Sequence, residues 1–99
     1  MINKETILLF LKNHKDDFNL KYKIVTLGIF GSFARDEQND KSDIDLIVEF
    51  EENTAELFEK KQAIKEILKA QFERDVDVCR IKYIKPYFKQ QILNTAIYV

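Results

Sequence analysis

Apolar residues recur along this chain in two rhythms, one helical and one of the strand. Ile7, Leu8 and Leu11 repeat at helical spacing behind Asn3, which predicts a helix over residues 4–13 with Asn3 as its N-cap. A further turn or two can run through 17–22. Ile24–Phe30 is a continuous apolar run rich in β-branched residues, hence a buried strand, and Gly28 inside it signals close approach by another backbone or a ligand. A short helix over 32–37 follows the turn at Gly31, then a polar loop over 38–41. Asp43–Phe50 alternates, with Asp43, Asp45 and Ile47 on one face and Ile44, Leu46 and Val48 on the other. Asn53 with Glu56 three residues on reads as a capping box opening a helix whose stripe is Leu57, Ile64, Leu68 and Phe72. Asp75–Ile81 reads as a third strand. Pro86 suits the first turn of a last helix carrying Phe88, Ile92 and Ala96. The order αβ(α)βαβα predicts an α/β or α+β domain: a small three-stranded sheet with helical cover. The short link between the first two strands allows that pair to be antiparallel and the sheet mixed.

Composition narrows the class. At 99 residues the chain is expected to form one domain, residues 1–99. A formal net charge of −1 lacks the basic excess of a long nucleic-acid binder but leaves a small phosphate ligand open. The single cysteine, Cys79, excludes a disulfide framework and fits a reducing compartment. With no apolar stretch of membrane-spanning length and no signal-peptide pattern, a soluble cytoplasmic protein is expected.

Three features carry candidate chemistry. Gly31-Ser32 follows a buried strand and precedes a helical turn, where glycine lets a ligand approach the main chain and free N–H groups favour phosphate. The same pattern is also a common way to turn. Asp43-Ile44-Asp45 puts two carboxylates on one face, with Cα atoms about 6.5–7 Å apart. Such a pair repels unless a cation lies between, and hard oxygens suit Mg²⁺. The plainer reading is two solvated acids at a strand edge. Asp77 sits between Val76 and Val78, a carboxylate near a sheet centre, unless it is simply an edge acid paired with Arg74 or Arg80.

Other chemistries fail on spacing. There is no phosphate-binding G-x-x-x-x-G-K-[ST] loop, and Ile47 and Val48 occupy positions where a calcium loop needs an oxygen ligand and a glycine. No Cys/His cluster suits zinc. His14, the only histidine, reads as a surface residue of the first helix, and Cys79 as core.

Taken together, Gly31-Ser32, ten intervening residues and Asp43-x-Asp45 resemble the GS-x10-D-x-D signature of the nucleotidyltransferase superfamily. The longer runs Phe30–Arg35 and Ser42–Val48, with Asp75–Val78, resemble its minimal nucleotidyltransferase (MNT) branch over nearly the whole chain. The resemblance implies a single small nucleotidyltransferase-fold domain. It implies that Gly31 and Ser32 hold the phosphates of ATP, and that Asp43 and Asp45 hold Mg²⁺. Asp77 would be the third carboxylate, as metal ligand or general base, in preference to Asp75. Arg35 would touch phosphate or pair with Asp36, Glu37 or Asp43. The family usually has glycine where this chain has Asp36, and aspartate tolerates a positive φ better than most residues. Larger nucleotidyltransferases carry an additional helical domain that binds the acceptor, and these 99 residues are expected to leave no room for one. The resemblance supplies one from a partner, a HEPN-domain protein that is often a ribonuclease toxin, with the MNT chain as antitoxin modifying it with AMP. A non-catalytic module that neutralises or scaffolds such a partner is the alternative.

Overall fold

The computed structural model describes residues 2–99 and places four helices and four strands around one mixed sheet. The elements are α1 (Lys4–Tyr22), β1 (Ile24–Phe30), α2 (Gly31–Ala34), β2 (Ile44–Phe50), α3 (Leu57–Phe72), β3 (Val76–Arg80), α4 (Pro86–Thr95) and β4 (Ile97–Tyr98), with a 3-10 turn at Ile81–Tyr83. The sheet order is β3-β2-β1-β4. β1 pairs antiparallel with β2 and with β4, while β2 and β3 run parallel across the α3 crossover.

Register divides the sheet into two faces. Leu27, Ile29, Ile44, Leu46, Val48 and Val76 join Ile7, Leu11 and Phe18 of α1 and Ile64 and Leu68 of α3 in one buried cluster. Phe10 of α1 meets Phe72 of α3 edge-on at 5.4 Å, so the two helices lie side by side on that face. By pleat alternation the opposite face carries Gly28, Phe30, Asp45, Ile47, Asp77 and Cys79. Ile47 is fully buried yet stands outside the main cluster, as that placement requires.

Several expectations need correction. The first helix is one continuous element to Tyr22 rather than a helix ending at residue 13 and a separate turn. Asn3 does cap it, accepting from the Thr6 amide at 2.9 Å. His14 hid the continuity because it occupies a position of the apolar stripe. It is half-buried rather than on the surface: its ring stacks on Phe10 at 4.1 Å, and Nδ1 lies 2.8 Å from the Phe10 carbonyl oxygen. The capping box does not form. α3 starts at Leu57 behind Glu56 in the left-handed region, without a side-chain cap, and Asn53 takes φ 62 in the turn after β2. Asparagine suits such a turn as well as a cap, and there the turn won. Ala96 is the C-cap of α4 rather than part of it. The sheet has four strands, not three. β4 is only two residues long, too short for a rhythm, but Gly28 announced it: a Cβ there would meet the Ile97 carbonyl oxygen at 2.5 Å.

Candidate active site

Strand pairing assembles the acids. β2 and β3 run parallel with Asp45 opposite Asp77, so two carboxylates from residues 32 apart project from adjacent strands on one face. Asp75 lies before β3, exposed and 3.7 Å from the Lys69 ammonium, while its carbonyl accepts from the Ile44 amide at 2.9 Å. Asp77, not Asp75, is therefore the register partner of Asp45. Asp43 is exposed at the mouth of β2.

Electrostatics agree with this grouping. The Asp45 carboxyl is half-buried and pushed up to about 6, first by burial and then by the charges of Asp77 and Asp43. Burial, Asp77 and Asp45 also push the Cys79 thiol up. Among the described residues no lysine or arginine forms an ion pair with Asp43, Asp45 or Asp77. Arg80, a proposed partner for Asp77, pairs with Glu49 at 3.1 Å instead. Arg74, the other, points its guanidinium at the Asn39 and Ser42 carbonyl oxygens, 3.0 and 2.9 Å away, and stacks on Phe33. It ties down the loop that leads into Asp43, a role separated by more than thirty residues in sequence and invisible to any local motif.

Gly31 opens α2 at φ 74, in the region that favours glycine. A Cβ here would collide with the Asp45 carboxylate, so the bare backbone makes room for that acid. The Ser32 hydroxyl makes no hydrogen bond within the described chain, and only its carbonyl is engaged, by the Glu37 amide at 2.9 Å. Arg35 pairs with Glu37 at 3.3 Å, and its charge draws the Asp45 carboxyl down against the larger upward effects. Asp36 adopts φ 57, the positive value its position demands, and pairs with Lys4 at 2.8 Å.

The donor set suits a hard cation. Carboxylates share one face, and the half-buried one is held back from ionising by burial first and then by its acidic neighbours, whose repulsion a divalent ion would relieve. Among the described residues no three such groups already converge closely enough to hold an ion alone. Mg²⁺ generally binds through one or two carboxylates and completes its shell with water and substrate phosphate.

The chain is similar to several known proteins. A family model described as a nucleotidyltransferase domain matches residues 11–99. A Methanocaldococcus jannaschii protein named "Putative protein adenylyltransferase MJ1379" is 40% identical over 90 residues, spanning 90% of each chain. Protein adenylyltransferase MntA of Thermococcus cleftensis is 30% identical over 99 residues, covering 100% of this chain and 98% of its own. A chain from the crystal structure of a toxin–antitoxin complex with AMP-PNP shares the fold, with TM-score 0.66 at 20% identity, over 98% of this chain and 72% of that one.

Proposed function

The chain belongs to the nucleotidyltransferase domain family, and from that premise we propose that it transfers AMP from ATP to a hydroxyl group of a HEPN-domain protein, as the antitoxin of such a pair. The observation that carries this reading is the Asp45–Asp77 register pair, two carboxylates on one face without an ion-paired cation among the described residues. The names of the two archaeal relatives and the toxin–antitoxin neighbour with its ATP analogue support the donor and the partner.

In this reading Asp43 and Asp45, with Asp77, hold Mg²⁺. The ion, when bound, neutralises charge on the triphosphate and on the departing pyrophosphate. Gly31 and Ser32 hold the distal phosphates: the free Ser32 hydroxyl is a donor, and the Gly31 backbone lies directly beside Asp45. Arg35 pairs with Glu37 through Nε alone, which leaves its terminal nitrogens able to donate to phosphate. The acceptor oxygen attacks the α-phosphorus, the α–β bond breaks, pyrophosphate departs and the acceptor proton passes to Asp77. Most of the acceleration comes from holding these groups in line.

Incubation of the chain and its HEPN partner with α-labelled and, separately, γ-labelled ATP tests the reaction. The α-label should become covalently attached to the partner with release of pyrophosphate. Asp77→Asn should slow transfer by about 10²–10⁴-fold, the usual loss with a positioned base, and Asp75→Asn should be nearly neutral. Transfer of γ-label would overturn the reaction class. Tight Mg·ATP binding without label transfer would leave a binding module.

A further inference from the structure

The sheet ends at β3, whose outer edge is covered by no strand among the described residues. In a parallel ladder, alternate residues turn both backbone groups to the neighbouring strand. The Ile44 amide donates to the Asp75 carbonyl at 2.9 Å, so Asp77 and Cys79 turn theirs to β2. Val76, Val78 and Arg80 therefore present their N–H and C=O groups outward. Across the sheet the order is Gly31 at the end of β1, Asp45 on β2, Asp77 on β3 and then this free edge. The edge lies on the far side of the acids from Gly31 and Ser32.

A groove of 180 Å³ runs between that edge and the flank of α3. Asp77 and Val78 form one wall, and Phe58, Lys61, Gln62 and Lys65 form the other, one stripe at helical spacing. Phe58 is 75% exposed, an aromatic surface with no core to join. Lys61 and Lys65 are half-buried, yet among the described residues neither forms an ion pair, whereas Lys69 of the same helix pairs with Asp75. Two partly desolvated ammonium groups one turn apart favour an anionic occupant. The spacing suits an extended one. Four residues of helix rise about 6 Å, and alternate residues of a strand lie about 6.5–7 Å apart, so carboxylates at i and i+2 of an extended segment match the two lysines.

Resting on the nucleotidyltransfer reading above, we propose that the free edge of β3 receives an extended acidic segment of the acceptor protein, laid beside Asp77 as an added strand. The outward N–H and C=O of Val78 bond its backbone. The residue opposite Asp77 points to the acid-bearing face, which brings its hydroxyl to the carboxylate that takes the proton. The residues on either side of it point to the other face, toward α3, where their carboxylates meet Lys61 and Lys65. The pattern recognised is acid–hydroxyl–acid. A second copy of this chain is a poor occupant, because pairing two β3 edges about a two-fold axis sets Lys61 and Lys65 against the same lysines.

Hydrogen exchange and kinetics with the HEPN partner test this. Exchange of the Val78 amide should slow at least tenfold when the partner binds, while Mg·ATP alone should leave it unchanged. The double variant Lys61→Gln/Lys65→Gln should raise KM for the partner about tenfold, the upper end for two surface ion pairs. Its kcat and its stabilisation by Mg·ATP should stay as in the parent, and Lys61→Arg/Lys65→Arg should keep the parent KM. A Val78 amide that exchanges as fast with the partner bound, or a KM that does not move, would overturn the proposal and leave the proposed function intact. Weaker Mg·ATP binding by the glutamine variant would also overturn it, and would assign the lysines to the nucleotide's phosphates. Protection of Val78 that grows with the chain's own concentration, without partner, would make the edge a contact between copies and overturn it as well. If the parent protein transfers no α-label to the partner, both readings fall together.

Discussion

At the scale of the residue, Asp45 concentrates the chemistry of the site and its liability. Its carboxyl, pushed up to about 6 in the folded chain from an ordinary value of 3.8, holds its proton more tightly folded than unfolded. The stability this contributes is complete below the unfolded value and is lost as pH rises through the folded one. Metal-free protein should therefore gain stability relative to Asp45→Asn as pH falls from 7 to 5. The gain should be on the order of 1 kcal/mol, because a half-exposed carboxylate is partly screened by solvent. Urea denaturation of both proteins in EDTA at the two pH values measures it. Asp45→Asn should be at least as stable as the parent at pH 7 and should lose Mg²⁺-dependent nucleotide binding. An Asp45→Asn protein that unfolds more easily at pH 7 would mean that the carboxylate serves the fold. The neighbouring Gly31 explains why the site tolerates this acid: the left-handed φ and the space beside Asp45 are two separate requirements, and glycine meets both.

At the scale of the element, the loop between α2 and β2 decides whether Asp43 reaches the other carboxylates. Ser42 and Asn39 close the loop on themselves: the Ser42 hydroxyl accepts from the Asn39 amide at 2.8 Å, and the Asn39 side chain accepts from the Lys41 amide at 2.8 Å. Arg74, from the turn ahead of β3, then clamps it from outside through two carbonyls. Arg74→Met keeps most of the packing over Phe33 and removes both bonds. It should cost about 1–3 kcal/mol, the scale of hydrogen bonds to a charged donor. It should also raise the Mg²⁺ concentration needed for nucleotide binding, because Asp43 is no longer held. Titration of Mg²⁺ at fixed ATP reads the second effect. An unchanged Mg²⁺ requirement would confine Arg74 to stability.

At the scale of the whole molecule, binding should stabilise a small domain visibly. Mg·ATP at a hundred times its Kd adds about 2.7 kcal/mol by mass action, on the order of 10 °C in Tm for a domain of this size. ATP with EDTA should do much less, and equal shifts would remove the metal from the site. Much of this architecture was legible in the order of residues. Alternation over Asp43–Phe50 placed Asp45 and Ile47 together and opposite Leu46, and β-branched runs marked the strands, because side-chain period and backbone geometry are local properties. The spacing from Gly31-Ser32 to Asp43 and Asp45 pointed to the chemistry only through its resemblance to the family signature. Asp36 was legible as a positive-φ position, and Gly28 as a close approach, though not as the seat of a fourth strand. What only the tertiary structure decided involves pairing between distant segments. The pairing of Asp77 rather than Asp75 with Asp45 depends on the β2–β3 register, the Arg74 clamp bridges more than thirty residues, and β4 exists only because β1 offers it an edge. Such contacts are chosen by the balance of burial and backbone hydrogen bonding across the whole sheet, so no local rhythm of the chain encodes them.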